Sequence, residues 1–303
     1  MEYLWGIDLG GTKIECAVIE DSQNLNTLVR ERIATEADQG YSHIINQIEK
    51  LIKKVSDELG IKPKSIGFGT PGAIEPTSGL IKNSNTTCIN GKPLQKDLES
   101  KLNCSVFLMN DANCFCIAES NFGTPSEMKE RPKSVFGIIM GTGVGGGICI
   151  DGKALNGRHS IGGEWGHNYL DESGGTCYCG RQGCVEQVIS GPATERYYRS
   201  ISNQNLNLKD IVIAYRKKDN AFATETMERL FDFYAKGLAQ VVNILDPDVI
   251  VMGGGLSKIE ELYIEGPKRI KKYIFNDDFN TPIVRPKLGD SAGVYGAALL
   301  NRK

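Results

Sequence analysis

The chain has 303 residues, of which 40% are apolar and 24% are charged, values typical of a globular protein with room for about two lobes. Lys and Arg total 35 against 37 Asp and Glu, and the resulting formal net charge of -2 gives no electrostatic reason to expect nucleic-acid or membrane-surface binding. No segment approaches the roughly 18 consecutive apolar residues of a membrane span, and the first residues lack the basic and apolar regions of a secretory signal.

The first half of the chain predicts strands, a long amphipathic helix and glycine turns. Apolar residues recur at helical spacing up to Leu59, and Gly60 followed by Pro63 ends that helix. In chain order the predicted elements are strands at 3–11 and 12–20, a helix at 44–59, a strand at 65–72, a strand at 105–110 and a helix at 111–123.

The second half repeats the opening pattern. Residues 134–140 predict a strand, 141–147 a glycine turn and 148–151 a second strand. A helix at 220–245, a strand within 246–255 and a small-residue helix at 291–300 follow, and the last is predicted to pack closely on the opening sheet. The expected architecture is an α/β protein of two lobes with a cleft between them: residues 1–121 with 289–303, and residues 122–288.

The first glycine turn favours phosphate binding. Asp8 lies at a strand end, and Gly10 and Gly11 let backbone N–H groups approach phosphate oxygens. Thr12 adds a hydroxyl and Lys13 a positive charge, while Asp8 is suited to hold Mg²⁺ directly or through water. The alternative is a tight hairpin with a solvated aspartate.

Two further glycine clusters support nucleotide binding. Residues 141–146 match G-x-G-x-x-G, but a strand-like segment follows where a dinucleotide-binding fingerprint requires a helix, so a second phosphate-facing hairpin fits better. Residues 253–255 directly follow a buried-looking strand. Three such loops in two lobes predict a nucleotide site.

Asp111 is the candidate general base. It stands where a strand meets a helix, and phosphoryl transfer needs one group that accepts the proton of the attacking hydroxyl. The alternative role for Asp111 is a helix N-cap. The adjoining Asn110 offers a donor and an acceptor for a neighbouring hydroxyl.

A histidine and three cysteines have the composition of a metal site. His167, Cys177, Cys179 and Cys184 lie within 18 residues and supply the donors of a closed, structural zinc site. The alternative is a set of unliganded surface thiols. The six other cysteines lie among apolar or strand-like neighbours, which together with this cluster favours reduced thiols and a cytoplasmic location.

These motifs, in this order, resemble the ROK family, which groups repressors, open reading frames and sugar kinases. The resemblance runs from residue 8 to about residue 299, and its most specific part is the cysteine motif with its trailing glutamate. It implies a two-lobe, actin-like (ribonuclease H-like) ATPase fold with ATP and sugar meeting in the interlobe cleft. The segments that carry it are DLGGTK (8–13), FGTPGAI (68–74), NDANC (110–114), GTGVGGG (141–147), GGEWGH (162–167), CYCGRQGCVE (177–186) and DPDVIVMGGG (246–255).

The resemblance also implies roles for individual residues. Asp111 would be the catalytic base, and one ring nitrogen of His167 would bind zinc while the other contacts the sugar. The implied sugar-binding residues are Asn85, Asn110, Glu164, His167 and Glu186. The residues implied to surround ATP are Gly10, Gly11, Thr12, Gly141, Thr142, Gly143 and Gly254.

Within the family, segments 82–98 and 163–168 and the cysteine motif look most similar to bacterial fructokinases and mannokinases. One departure is that only nine residues separate His167 from Cys177, fewer than expected of that group. The predicted function is therefore an ATP- and Mg²⁺-dependent hexose kinase with a structural Zn²⁺, acting on fructose and also on mannose. The alternatives are a glucokinase, or an N-acetylglucosamine or N-acetylmannosamine kinase.

A non-catalytic, sugar-responsive transcriptional regulator is the rival of another class. Family repressors carry a helix-turn-helix domain ahead of the glycine motif, whereas seven residues precede Asp8 here, so DNA binding is not expected. The expected partners are a hexose and ATP, with no nucleic acid and no membrane. The resemblance implies a homodimer.

Overall fold

The computed structural model describes residues 3–21 and 24–302. The chain forms two compact units: Met1–Lys133 with Gly147–Gly163 and Lys287–Lys303, and Ser134–Gly146 with Glu164–Pro286. Residues 122–133, 147–163 and 287–288, which were predicted in the second lobe, group with the first unit. No helix of the described residues is long and apolar enough to cross a membrane.

Strands and helices alternate along much of the chain. The strands are β1 (Tyr3–Leu9), β2 (Lys13–Glu20), β3 (Thr27–Ala34), β4 (Ser65–Thr70), β5 (Ala73–Ile74), β6 (Ile81–Lys82), β7 (Ser105–Asn110), β8 (Ser134–Met140), β9 (Val144–Ile150), β10 (Lys153–Ala154), β11 (Val249–Gly253) and β12 (Ile283–Val284). The helices are α1 (Tyr41–Leu59), α2 (Leu94–Leu102), α3 (Asp111–Phe122), α4 (Val185–Ile189), α5 (Gly191–Ser202), α6 (Leu208–Lys217), α7 (Ala221–Leu245), α8 (Glu260–Ile270) and α9 (Ala292–Leu299).

The two five-stranded sheets share one topology. The first has the order β3-β2-β1-β4-β7, in which β1 pairs antiparallel with β2 and parallel with β4, and β4 pairs parallel with β7. The second has the order β10-β9-β8-β11-β12, with parallel pairing of β8, β11 and β12. The repeated strand, glycine turn and strand pattern predicted from the sequence is therefore confirmed as the start of each sheet.

The core of the first unit lies between its sheet and α1. The apolar stripe of α1, from Ile44 to Val55, is buried as predicted, and Gly60 ends the helix with a left-handed φ of 67°.

Helix α7 begins after Asn220, whose side chain accepts the N–H of Ala223, and it matches the predicted helix at 220–245.

The C-terminal helix α9 packs on the first sheet at backbone distance, as predicted. A Cβ atom on Gly67 of β4 would overlap the carbonyl of Ala297, and a Cβ on Gly296 would overlap the carbonyl of Cys114 in α3. Only glycine permits this approach, so helix and sheet meet without intervening side chains. The close contact places the first turn of α9 beside Asp8, because a Cβ on Gly293 would lie 3.1 Å from its carboxylate.

Candidate functional site

The turn between β1 and β2 is the first candidate phosphate loop. The N–H of Gly10 donates to the carbonyl of Lys13 at 2.9 Å and closes the turn. Thr35 braces it, because its N–H donates to the Thr12 carbonyl at 3.0 Å and its hydroxyl donates to the Gly10 carbonyl at 2.6 Å. Gly11 and Thr12 are exposed at the tip. A braced and exposed glycine turn is suited to present N–H groups to a phosphate.

Asp8 lies beside an ion pair between the buried Glu15 and the exposed Arg32. It is opposite Glu15 on β2, and Glu15 is opposite Arg32 on β3. Glu15 is fully buried, and Arg32 Nε lies 2.8 Å from its Oε2. Burial and the negative charges of Asp111 and Glu15 raise the pKa of Asp8 to about 7, although Lys13 and Arg32 lower it. A carboxylate in this position gains from a nearby cation, and carboxylate plus phosphate oxygens are the ligands that Mg²⁺ prefers.

Asn110 ends β7 and caps α3. Its Oδ1 accepts the N–H of Ala112 at 2.9 Å, and its Nδ2 donates to the carbonyl of Gly72 at 3.2 Å. The alternative reading of Asp111 as the N-cap is therefore wrong, because Asp111 is the first residue of the helix.

The carboxylate of Asp111 has the properties of a general base. The residue is exposed at the surface, but protein atoms crowd the carboxylate, and this desolvation raises its pKa. Asp111 is also close enough to Asp8 to raise the pKa of that residue. The two carboxylates therefore share one region of the first unit, and a reachable carboxylate with a raised pKa can accept a proton.

Asn85 is presented by a hydrogen-bonded loop. The N–H of Ser84 donates to Asn90 Oδ1 and Asn90 Nδ2 returns a bond to the Ser84 carbonyl, both at 2.9 Å. Ser84 and Thr86 are buried, whereas Asn85 between them is exposed. A Cβ on Gly11 would lie 3.2 Å from Thr86 Oγ1, so this loop adjoins the first glycine turn. The predicted residues of the first unit thus lie in one neighbourhood.

The second glycine turn joins β8 to β9. The N–H of Gly141 donates to the carbonyl of Gly143 at 2.9 Å, and the N–H of Gly191 donates to the carbonyl of Gly141 at 2.9 Å. Gly254 has a φ of 81°, and a Cβ there would overlap the carbonyl of Met140. The predicted ATP-binding residues 141–143 and Gly254 therefore lie together in the second unit.

The four predicted zinc ligands converge. His167, Cys177, Cys179 and Cys184 each offer a ligand atom, and these atoms lie within 4.8 Å of one another. His167 Nδ1 is 3.6 Å from Cys177 Sγ, and Cys179 Sγ is 3.6 Å from Cys184 Sγ. One imidazole nitrogen and three sulfurs fit a closed tetrahedral Zn²⁺ site and do not suit Mg²⁺.

The segment that carries Glu164 and His167 is held by Trp165. The indole Nε1 donates to the carbonyl of Gly145 at 3.1 Å, and the ring packs edge-on against Phe136 with centroids 5.8 Å apart. Glu186 is held separately, because its Oε2 accepts the N–H of Val144 at 3.0 Å. The second unit therefore fixes three predicted sugar-binding residues near the glycine turn.

Three features of these two neighbourhoods were not predicted. Thr35 braces the first glycine turn, the Glu15–Arg32 pair adjoins Asp8, and the hydroxyl of Tyr178 lies 3.0 Å from His167 Nε2. The signal for Tyr178 was its place between two predicted zinc ligands. The pairing of β2 with β3 has no comparable local signal.

A cavity of about 840 Å³ in the first unit contains none of the predicted site residues. Arg302 pairs with Asp21 at 2.7 Å and Lys287 pairs with Glu127, and all four line the cavity. Arg131 is a further cation of the lining, and none of the predicted phosphate, sugar or zinc residues lies there, so the candidate site stays where the sequence placed it.

Comparison with known proteins assigns the family. The ROK family model matches residues 4–303. The chain therefore belongs to the ROK family, and the predicted membership is confirmed. It is 38% identical to the N-acetyl-D-glucosamine kinase of Aliivibrio fischeri and 37% identical to that of Vibrio cholerae, in each case over 99% of both chains.

Solved structures confirm the fold class. The ROK hexokinase of Thermus thermophilus matches with a TM-score of 0.86 and 29% identity, covering 98% of this chain and 97% of that one. The ROK family glucokinase of Streptomyces griseus, solved with glucose and AMPPNP, matches with a TM-score of 0.76 and 27% identity over 99% of both chains. The chain has the predicted actin-like ATPase fold.

The sugar-kinase class predicted from the sequence is supported by these relatives, which are named as sugar kinases. The predicted closer similarity to fructokinases and mannokinases is not supported, because the curated relatives just described are named N-acetylglucosamine kinases.

Proposed function

We propose that this protein is an ATP-dependent N-acetylglucosamine kinase, which transfers the γ-phosphoryl group of ATP to a hydroxyl of the sugar. The observation that carries the proposal is identity of 38% across 99% of both chains with a relative of that name. The sequence motifs predicted fructose first, with this activity among the alternatives, and the names of the relatives support the alternative.

The first unit supplies the base and part of the phosphate site in this proposal. Asp111 accepts the proton of the attacking hydroxyl, for which its accessible carboxylate and raised pKa are suited. The turn from Gly10 to Lys13 would face phosphate oxygens, and Asp8 would hold Mg²⁺, which neutralises phosphate charge when bound. Asn85 and Asn110 donate to sugar hydroxyls, although the Asn110 side chain is already engaged by Ala112 and Gly72.

The second unit supplies the remaining groups. Residues 141–143 and Gly254 approach ATP through their backbone, while Glu164, His167 and Glu186 hydrogen-bond sugar hydroxyls. With Nδ1 of His167 directed at the cysteine sulfurs, Nε2 is the ring nitrogen that remains for another partner. The zinc would fix this loop in position and would have no open coordination site for catalysis.

Phosphoryl transfer requires little covalent chemistry from such residues. The protein must place the hydroxyl in line with the γ-phosphorus, take up its proton and exclude water, which competes with the sugar. Bound Mg²⁺ supplies neutralisation of the phosphate oxygens. Asp111 receives the proton as the new oxygen–phosphorus bond forms.

A coupled assay of ADP release tests the proposal with N-acetylglucosamine, N-acetylmannosamine, glucose, mannose and fructose as separate substrates. We expect the highest kcat/KM with N-acetylglucosamine and a large loss of kcat in Asp111→Asn. The matched control is Asp278→Asn, an exposed carboxylate whose change should leave activity as in the wild type. Phosphorylation of none of the five sugars would refute the proposal.

Glucose phosphorylation is the second candidate function. It is favoured by the structural match to the Streptomyces griseus glucokinase, solved with glucose, at 27% identity. The same assay separates the two, because a higher kcat/KM for glucose than for N-acetylglucosamine would assign the glucose activity. Assembly as a homodimer stays a prediction, and light scattering coupled to size-exclusion chromatography measures it.

A further inference from the structure

Tyr178 lies in the turn that carries the predicted zinc ligands. The N–H of Gly180 donates to the carbonyl of Cys177 at 2.9 Å, which makes Tyr178 the second residue of a tight turn. Its side chain is 65% exposed, which is unusual for a large aromatic group and means that little packing would be lost if it moved.

The ring of Tyr178 folds back over His167. The two rings meet edge-on, with centroids 5.2 Å apart and an interplanar angle of 87°. The phenolic Oη lies 3.0 Å from His167 Nε2, within hydrogen-bond distance. This nitrogen is the one left over when Nδ1 faces the cysteines.

The surroundings of the phenol match those that a sugar hydroxyl would need. When Nδ1 binds a metal, Nε2 carries the proton and donates. A hydroxyl here can accept a bond from Nε2. An alcohol group of a sugar has the same donor and acceptor pattern.

We propose that Tyr178 is a displaceable substitute for a sugar hydroxyl, which occupies the hydrogen bond of His167 Nε2 in the sugar-free protein and gives it up when the sugar binds. The inference rests on the proposed function, since it assigns His167 to the sugar. Tyr178 then opposes sugar binding by the strength of the bond that must be broken.

The test is Tyr178→Phe, which removes the hydroxyl and keeps the ring packed on His167. We expect the dissociation constant of N-acetylglucosamine, measured by calorimetry, to fall about two- to tenfold, the range of one net hydrogen bond. KM should fall with it while kcat stays within about twofold, because the hydroxyl does not touch the transferred group. Tyr169→Phe is the matched control, since Tyr169 is another exposed tyrosine of the second unit.

The zinc content and melting temperature of both variants are measured alongside. A purely structural role for Tyr178 predicts loss of zinc and weaker sugar binding in Tyr178→Phe. Weaker or unchanged binding in that variant, with sugar bound normally by the wild type, would overturn this inference and leave the proposed kinase activity standing. A wild-type protein that binds none of the five sugars would overturn both.

Discussion

Replacement of Asp8 by Asn should make the magnesium-free protein more stable than the wild type. This gain in unfolding free energy should increase as the pH rises. The Asp8 carboxylate lies between the first turn of α9, the buried Glu15 and the nearby Asp111. These surroundings disfavour its ionised form and raise its pKa to about 7. Asn is nearly isosteric and carries no charge at any pH, so the substitution removes the cost of ionisation.

The size of the effect follows from the difference in proton affinity between the folded and unfolded chain. An unfolded Asp titrates near 3.9, and the folded Asp8 titrates at about 7. Below about pH 4 both states are protonated and the residue costs nothing. Between about pH 4 and pH 7 the unfolded chain ionises first, so the wild type loses stability as the pH rises, by on the order of 4 kcal/mol in total, and the loss is constant above the folded pKa.

The measurement is urea unfolding of wild type and Asp8→Asn at several pH values from 4 to 8, in magnesium-free buffer because a bound cation would favour the ionised form. The quantity of interest is the difference in unfolding free energy between the two proteins, which should increase with pH by about 4 kcal/mol. Asp278→Asn is the control: the N–H of Phe279 lowers the pKa of this exposed residue, so its difference should not increase with pH. A flat difference for Asp8→Asn would refute the reasoning.

Three other predictions concern the base, the zinc site and the packing of α9. Asp111→Asn should reduce kcat by about 10²-fold or more with little change in the sugar dissociation constant. Wild-type kcat/KM should decline as the pH is lowered through the raised pKa of Asp111, because the protonated carboxyl cannot accept a proton. An unchanged kcat in Asp111→Asn would exclude Asp111 as the base. Cys179→Ser should reduce the zinc content found by elemental analysis and weaken sugar binding through the loosened His167, whereas a wild type without zinc would remove the basis of this prediction. Gly296→Ala should lower the unfolding free energy by about 1–3 kcal/mol or more, because the added methyl overlaps the carbonyl of Cys114. The control is Gly255→Ala, where nothing lies within 4 Å of the added methyl and the change should stay within about 0.5 kcal/mol. Equal effects of the two substitutions would contradict the packing argument.

The fold was largely accessible from the sequence because its signals are local. The stripe of α1 repeats at helical spacing and ends at Gly60, and the strand at 105–110 is bounded by a helix start. The small residues of 291–300 indicated close packing on the sheet. The boundaries of the two units were harder to predict from the sequence. Residues 147–163 belong to the first unit through tertiary packing, which no local sequence pattern indicates.

The candidate site was predictable where its residues are adjacent in the chain and not where they meet by strand pairing. The glycine turns and the cysteine cluster are contiguous motifs, and their residue types alone predict phosphate binding and metal binding. The alternative role of Asp111 as the N-cap was wrong by one position, since Asn110 and Asp111 are both good caps and only backbone geometry distinguishes them. The Glu15–Arg32 pair depends on the register of β2 with β3, and the sequence of the loop between these strands does not predict that register.

The choice of sugar was the least predictable feature, and the reason is physical. The motifs shared across sugar kinases serve tasks common to all of them: phosphate approach, proton acceptance and contact with hydroxyls that every hexose carries. Discrimination between fructose and an acetamido sugar depends on a few buried polar groups that are either paired or left unpaired. In this chain the spacing of nine residues between His167 and Cys177 departed from the fructokinase group, and it belongs to the loop that places His167 and Tyr178. A departure in the segment proposed to contact the sugar is therefore more informative about the substrate than agreement in segments that serve every member of the family.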